Sequence, residues 1–200
     1  MKKGLFITFD GRHGTGKSFI IEKVANEMIK RNYKLFITKE PTDSEIGMLS
    51  RRVESKFSSE ALVCMFASDR YIHCREIEEK LNKGITVLCD RYIISGMILQ
   101  NMCGAEFDYI HFVNKYIIKS DISIVLFSDN KVIEKRLALR KKMSSLTKKE
   151  MMESRDRYKE NFSLLKKKFG NVIGYKNDTI EDATNLVNSL FLEVDAIKKL

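Results

Sequence analysis

Much of what narrows this chain of 200 residues is what it lacks. It has a single proline, no internal repeat, no low-complexity tract, and no run of the eighteen or more apolar residues that a membrane-spanning helix requires. A membrane span, a proline-rich linker and a repeat array are therefore all unsupported. One folded α/β domain over residues 1–200 is the expectation, since that length is ample for a core. The four cysteines, Cys64, Cys74, Cys89 and Cys103, contain no C-x-x-C pair, and three sit in apolar surroundings. They read as reduced core thiols, neither a metal site nor a disulfide frame. Met1-Lys2-Lys3-Gly4 leads at once into an apolar run without a small-residue cleavage site, so no secretory leader is expected and the location reads as cytoplasmic.

Charge is present but uneven. The formal net charge is +9, and the stretch from Lys131 to Lys168 holds fourteen Lys or Arg against five Asp or Glu. A cation-rich cover over polyphosphate and a set of solvated helix faces both fit that stretch. A nucleic-acid partner is not expected, because no aromatic platform is interleaved with the basic residues.

Apolar runs alternate with helical periodicity along the whole chain. Strands are expected at Leu5–Phe9, Tyr33–Thr38, Ile85–Cys89, Ile122–Phe127 and Val172–Tyr175. Helices are expected at Phe19–Ile29, Glu45–Val53 behind a Ser44 cap, Ser58 to about Lys83-Gly84, Gly96–Met102 and Phe107–Lys119. Three more follow: one capped by Asp129 and running through Ala138, one over Thr147–Phe169 with a Thr147/Glu150 capping box, and one over Thr179–Lys198 capped by Asp178 or Thr179. This alternation predicts a five-stranded parallel sheet with helices on both faces, a three-layer sandwich.

The most specific stretch is Gly11-Arg12-His13-Gly14-Thr15-Gly16-Lys17-Ser18, which fits G-x-x-x-x-G-K-[ST], a phosphate-binding loop. A strand precedes it and a helix follows, as the chemistry demands. Glycines let backbone N–H groups turn inward around phosphate oxygens, and the helix start adds unpaired N–H groups and the positive end of its dipole. Lys17 is expected to reach the β- and γ-phosphates of ATP, and the Ser18 hydroxyl to hold Mg²⁺. In parallel sheets ligands bind beyond the carboxyl ends of strands. That rule adds Glu40-Pro41 after the second strand and Asp90-Arg91-Tyr92 after the third.

Taken together, Phe9-Asp10-Gly11, the loop, Lys39-Glu40-Pro41-Thr42, Phe66-Ala67-Ser68-Asp69-Arg70, Asp90-Arg91-Tyr92 with Ser95-Gly96, and Arg155-Asp156-Arg157-Tyr158 resemble the thymidylate kinase superfamily over nearly the whole chain. The resemblance implies a P-loop NTPase fold, and transfer of the γ-phosphoryl of ATP to a nucleoside monophosphate, dTMP first. It also implies Mg²⁺ and a homodimer. By the same resemblance Arg91 grips the monophosphate, Asp90 helps place Mg²⁺, Phe66 stacks on the base and Arg70 meets its edge. Asp10, Glu40, Pro41, Ser95, Gly96 and Leu99 complete the acceptor pocket. A lid over about residues 138–150 supplies Arg140, with Arg136 beside it on the donor side. Phe66 also fits a plain core position, and Arg70 a partner for Asp69 or Glu45.

Some positions depart from the family pattern. His13 stands where an acidic loop residue reaches the sugar 3′-hydroxyl, Asp10 replaces a glutamate, and Leu99 replaces an aromatic near the sugar 2′ position. Three readings stay open on the residues: a nucleoside monophosphate kinase, a kinase of a nucleoside or other small acceptor, and a non-catalytic ATP-binding partner protein.

Overall fold

The computed structural model describes residues 3–53, 57–139 and 157–198. Among these, five strands form one sheet: β1 (Phe6–Gly11), β2 (Leu35–Lys39), β3 (Thr86–Asp90), β4 (Ile122–Phe127) and β5 (Val172–Lys176). Their order is β2-β3-β1-β4-β5 and every neighbouring pair is parallel. Parallel neighbours cannot be joined by a tight turn, so helices make the crossovers and cover both faces. The helices are α1 (Lys17–Lys30), α2 (Glu45–Val53), α3 (Ser59–Asn82), α4 (Ile93–Met102), α5 (Phe107–Val113), α6 (Asn130–Ala138), α7 (Phe162–Phe169) and α8 (Ile180–Lys198).

Alternation along β1 divides the core. Ile7 and Phe9 point to a layer built with Ile20, Val24 and Met28 of α1 and Leu186, Leu190 and Val194 of α8, all buried. Phe6 points the other way, among Val63 and Ile77 of α3, Met97 of α4, Ile110 of α5 and Leu165 of α7. Removing apolar surface of this size contributes about 1.5–3 kcal/mol per large side chain. Two well-filled layers thus fix where the carboxyl ends of β1 and β3 meet.

Local chemistry explains several boundaries. Ser44 Oγ accepts the N–H of Gly47 at 3.0 Å, capping α2, and Ser58 Oγ accepts that of Ala61, capping α3. Gly84, with φ 71°, follows the end of α3. Thr179 Oγ1 accepts from the N–H of Asp182 and starts α8.

Four expectations need correction. The helix from Phe107 stops at Val113 instead of Lys119, because Asn114 turns its side chain back onto the Ile110 carbonyl and toward Arg70. Asp129 does not cap α6 with its carboxylate, which instead pairs with Lys176 at 3.3 Å. The expected helix over Thr147–Phe169 is interrupted at Asn161 ahead of α7, and its start, including the Thr147/Glu150 box, lies outside the described residues. Only Cys74 and Cys89 are buried thiols, whereas Cys64 and Cys103 are exposed; all four are free. No described helix is long and apolar enough to cross a membrane.

Candidate active site

The loop between β1 and α1 takes the shape that its glycines permit. Gly11 and Gly16 have φ 135° and 89°, values that L side chains rarely adopt. At Gly16 a Cβ would also stand 2.5 Å from Asn177 Nδ2. The amide of Asn177 donates to the Thr15 carbonyl at 2.7 Å, and Thr15 Oγ1 donates to the Arg12 carbonyl at 2.9 Å, so the loop is pinned from both sides. Lys17, only 7% exposed, donates 3.0 Å bonds to the carbonyls of Gly11 and Arg12. Its ammonium is thereby held across the mouth of the loop, where β- and γ-phosphate oxygens would arrive.

Ser18, next on α1, reaches toward Asp90 at the end of β3, with Oγ 3.5 Å from Asp90 Oδ2. Asp90 Oδ1 is buried with no hydrogen-bond partner. A hydroxyl and a carboxylate suit a hard dication, which favours oxygen ligands. Among the described residues no cluster of three or more His, Cys, Asp or Glu side chains could hold an ion alone. Phosphate oxygens and water would have to complete the shell.

Arg91 is held in an unusual backbone conformation. Its φ is +72°, costly for a residue with a Cβ. It is over-determined by three bonds: its N–H to the Phe9 carbonyl at 2.8 Å, and Nη1 to the Gly11 carbonyl at 3.0 Å and to Ser95 Oγ at 3.2 Å. Ser95 Oγ also accepts from the Tyr158 hydroxyl at 3.0 Å. Burial pushes the Tyr158 phenol up to about 12. Asp10 lies below: its Oδ1 accepts the N–H groups of Tyr92 and Ser95 and so caps α4 from another strand, while Oδ2 has no partner. Burial raises the Asp10 pKa, opposed by those bonds and by Arg91.

A cavity of about 250 Å³ opens between the loop and the ends of β2 and β3, with Asp10 and Ser95 behind its lining. His13, Gly14, Gly16, Lys17 and Ser18 form one wall, while Lys39, Glu40, Pro41, Arg51, Asp90 and Arg91 form the other. The Glu40–Pro41 peptide is cis. Arg51 binds the carbonyls of Pro41 and Thr42 and the carboxylate of Asp43. Cations outnumber carboxylates around the cavity, which suits an anionic occupant.

Deeper in, Arg70 is 3% exposed and pairs with Glu40, Nε to Oε2 at 2.7 Å, instead of with Asp69 or Glu45. Asp69 is occupied elsewhere, accepting from Thr42 and Ser44. Arg70 also faces Gly96, where a Cβ would stand 3.2 Å from Nη2. Phe66 and Leu99 are half-buried and line no part of the cavity around Lys17. Arg136 binds the carbonyls of Asn177 and Asp178 and the Ser128 hydroxyl at the ends of β4 and β5, with the Gly14 carbonyl 3.5 Å away. Arg140 and all of the expected lid beyond residue 139 lie outside the described residues.

Sequence reasoning missed Arg51, His73, Asn114 and Asn177. Asn177 directly follows β5, so the strand-end rule that singled out Asp90 applies to it equally. His73 and Asn114 carry no local signal, since they act on Glu40 and Arg70 across 33 and 44 residues, whereas Arg51 reaches back only 8 to 10 residues to Pro41, Thr42 and Asp43.

Comparison with known proteins bears on the whole chain. The sequence pattern of the thymidylate kinase family matches residues 9–187. A probable thymidylate kinase of Methanococcus aeolicus is 32% identical over 196 residues, covering 97% of this chain and 92% of the relative. One of Caldivirga maquilingensis is 37% identical over 141 residues, covering 68% and 69%. In three dimensions the thymidylate kinase of Candida albicans superposes with a TM-score of 0.75 at 19% identity, over 98% of this chain and 93% of that one, a likeness of fold. With the loop, the parallel sheet and the strand-end arginine in place, the chain belongs to the thymidylate kinase family.

Proposed function

We propose that this protein transfers the γ-phosphoryl group of ATP to dTMP, giving ADP and dTDP. The observation that carries the reading is the placement of Lys17 and Arg91 on opposite walls of one cavity, at the carboxyl ends of adjacent strands. In the reaction an oxygen of the acceptor's 5′-phosphate bonds to the γ-phosphorus while the bond to the β–γ bridging oxygen breaks. Little covalent work falls to the protein, so positioning and charge stabilisation dominate.

Loop amides and the amino end of α1 receive the donor phosphates, and Lys17 exchanges its two carbonyl partners for phosphate oxygens. The guanidinium fork of Arg91, braced by Gly11 and Ser95, holds the acceptor phosphate in line. Ser18 and Asp90 are the residues that would hold Mg²⁺, which when bound neutralises charge on the transferring phosphates. Arg136 and Arg140 belong to the donor side in this reading, with Gly11 to Ser18 as the phosphate cradle. On the acceptor side stand Asp10, Glu40, Pro41, Phe66, Arg70, Ser95, Gly96 and Leu99.

A homodimer completes the reading, supported by a groove along the edge strand β2 in which Ile29, Ile37 and Ile72, each more than half exposed, come together. Light scattering of the purified chain tests it. A cytoplasmic location fits four free thiols.

The deciding experiment offers Mg-ATP with a panel of nucleoside monophosphates and nucleosides and measures ADP. Turnover highest with dTMP supports the reading. ADP formation only with nucleosides makes the protein a nucleoside kinase, and ATP binding without any turnover makes it a non-catalytic partner.

A further inference from the structure

His73 has no part in the chemistry described so far, yet it is buried, with 1% of its side chain exposed. It lies three residues after Arg70 on α3, so both side chains leave the same face of the helix and meet the end of β2. Its Nδ1 is 3.1 Å from Glu40 Oε1, and its Nε2 is 2.8 Å from Thr38 Oγ1. The other oxygen of Glu40 takes Arg70 Nε, so both carboxylate oxygens face donors. A carboxylate oxygen can only accept, so the contact with Glu40 places a hydrogen on Nδ1 of His73, while Nε2 and the Thr38 hydroxyl share the second contact.

Arg70 is clamped on its second side as well. Nη1 donates to Asn114 Oδ1 at 2.6 Å, and the Asn114 amide is itself held by the Ile110 carbonyl at 2.8 Å. Two of the three guanidinium nitrogens are thus engaged by protein. The third, Nη2, has no hydrogen bond among the described residues and faces the bare Cα of Gly96. A planar fork held at two corners cannot rotate, so the N–H groups of Nη2 are offered in one fixed direction.

We propose that His73 is a positioning residue for acceptor selectivity. By fixing Glu40 it fixes Arg70, so that Nη2 presents donors, and only donors, to the ligand edge above Gly96. A pyrimidine with an oxo group there is accepted, and one with an amino group leaves two donors facing each other. Such a mismatch in a site built to hydrogen-bond is discriminated strongly. The inference rests on the acceptor assignment proposed above.

Three substitutions separate the links. His73→Asn keeps an amide near the place of Nδ1 and so keeps the donor to Glu40. His73→Gln places its amide near Nε2, keeping Thr38 and losing Glu40. His73→Phe keeps the ring volume and loses both. The readout is the ratio of kcat/KM for dTMP over dCMP, with the KM for ATP measured in parallel. His73→Gln and His73→Phe should lower that ratio at least about five-fold through a higher KM for dTMP, with the KM for ATP unchanged, while His73→Asn keeps most of the selectivity. Equal effects of Asn and Gln, or a matching change in the KM for ATP, overturn the proposal. Should His73→Phe not fold, the contrast between Asn and Gln still decides.

A second readout needs no substrate. The Arg70 Nε–H resonance, identified by its loss in Arg70→Lys, should be sharp and slowly exchanging in the wild type and His73→Asn, and broadened in His73→Gln. A signal unchanged in His73→Gln refutes the clamp. A clamp confirmed in this way in a protein that rejects dTMP leaves the positioning role standing and removes only the assigned substrate.

Discussion

Replacing Gly16 by alanine probes the loop at its tightest point. The residue has φ 89° and ψ 20°, a left-handed conformation that costs a residue with a Cβ about 1–2 kcal/mol. The new methyl group would stand 2.5 Å from Asn177 Nδ2, closer than real Cβ contacts, so the amide must move. Moving it breaks a buried 2.7 Å bond to the Thr15 carbonyl, a loss of about 0.5–1.5 kcal/mol, or up to about 3 if the carbonyl finds no water. The sum is about 1.5–5 kcal/mol. Two outcomes can absorb it. Either the fold bears the strain and loses that much stability, or the loop abandons its cradle and the loss appears as weaker ATP binding. Urea denaturation and Mg-ATP calorimetry on the same preparation measure both, and together they should account for about 1.5–5 kcal/mol. A Gly16→Ala protein within about 0.5 kcal/mol of wild-type stability and within about three-fold of wild-type ATP affinity refutes this account of the loop.

Two further predictions follow from buried groups. Lys17→Ala should lower kcat by about 10²–10³-fold, the usual cost of removing one preorganised charge donor, while the thermal melt moves little because water can reach the two freed carbonyls; undiminished turnover would remove Lys17 from the site. Tyr158 is held neutral by burial, its pKa pushed up from 10.0 to about 12. A raised pKa means that the stabilisation by the neutral phenol is complete below pH 10.0 and is lost as pH climbs through about 12. Phenolate absorbance of the folded protein near pH 10 should therefore be the same in Tyr158→Phe as in the wild type. Tyr92 is likewise buried and held well above the usual phenol range, so a drop of about one part in six or more, the share of one tyrosine among the rest, contradicts the burial argument.

How much of this was legible in the sequence follows from the range of each interaction. The loop could be read because its chemistry is written in eight consecutive residues with a strand before and a helix after. The bounds of α2 and β4 were also legible, since a serine cap and a run apolar but for Ser123 are local signals. Asn114 was not, because its role is set by Arg70, 44 residues earlier, which ends α5 six residues before the periodicity suggests. Arg70 itself was assigned to the site, but its partner Glu40 lies 30 residues away and two nearer carboxylates looked equally plausible. Asn177 pins the loop from 162 residues downstream. The cysteines mislead for a related reason: apolar neighbours in sequence do not show burial, and Cys64 falls on the exposed face of α3 while Cys103 sits in the exposed turn that ends α4.

The central claim is that one cavity holds both nucleotides, the donor on the loop and Lys17, the acceptor on Arg91. A single compound joining adenosine and thymidine through five phosphates measures this directly by calorimetry. The account predicts one such molecule per chain, bound at least about a hundred-fold more tightly than ATP or dTMP alone, displaced by either nucleotide, and weakened by Lys17→Ala and by Arg91→Ala. Binding no tighter than that of ATP, with dTMP still free to bind beside it, would contradict the shared cavity.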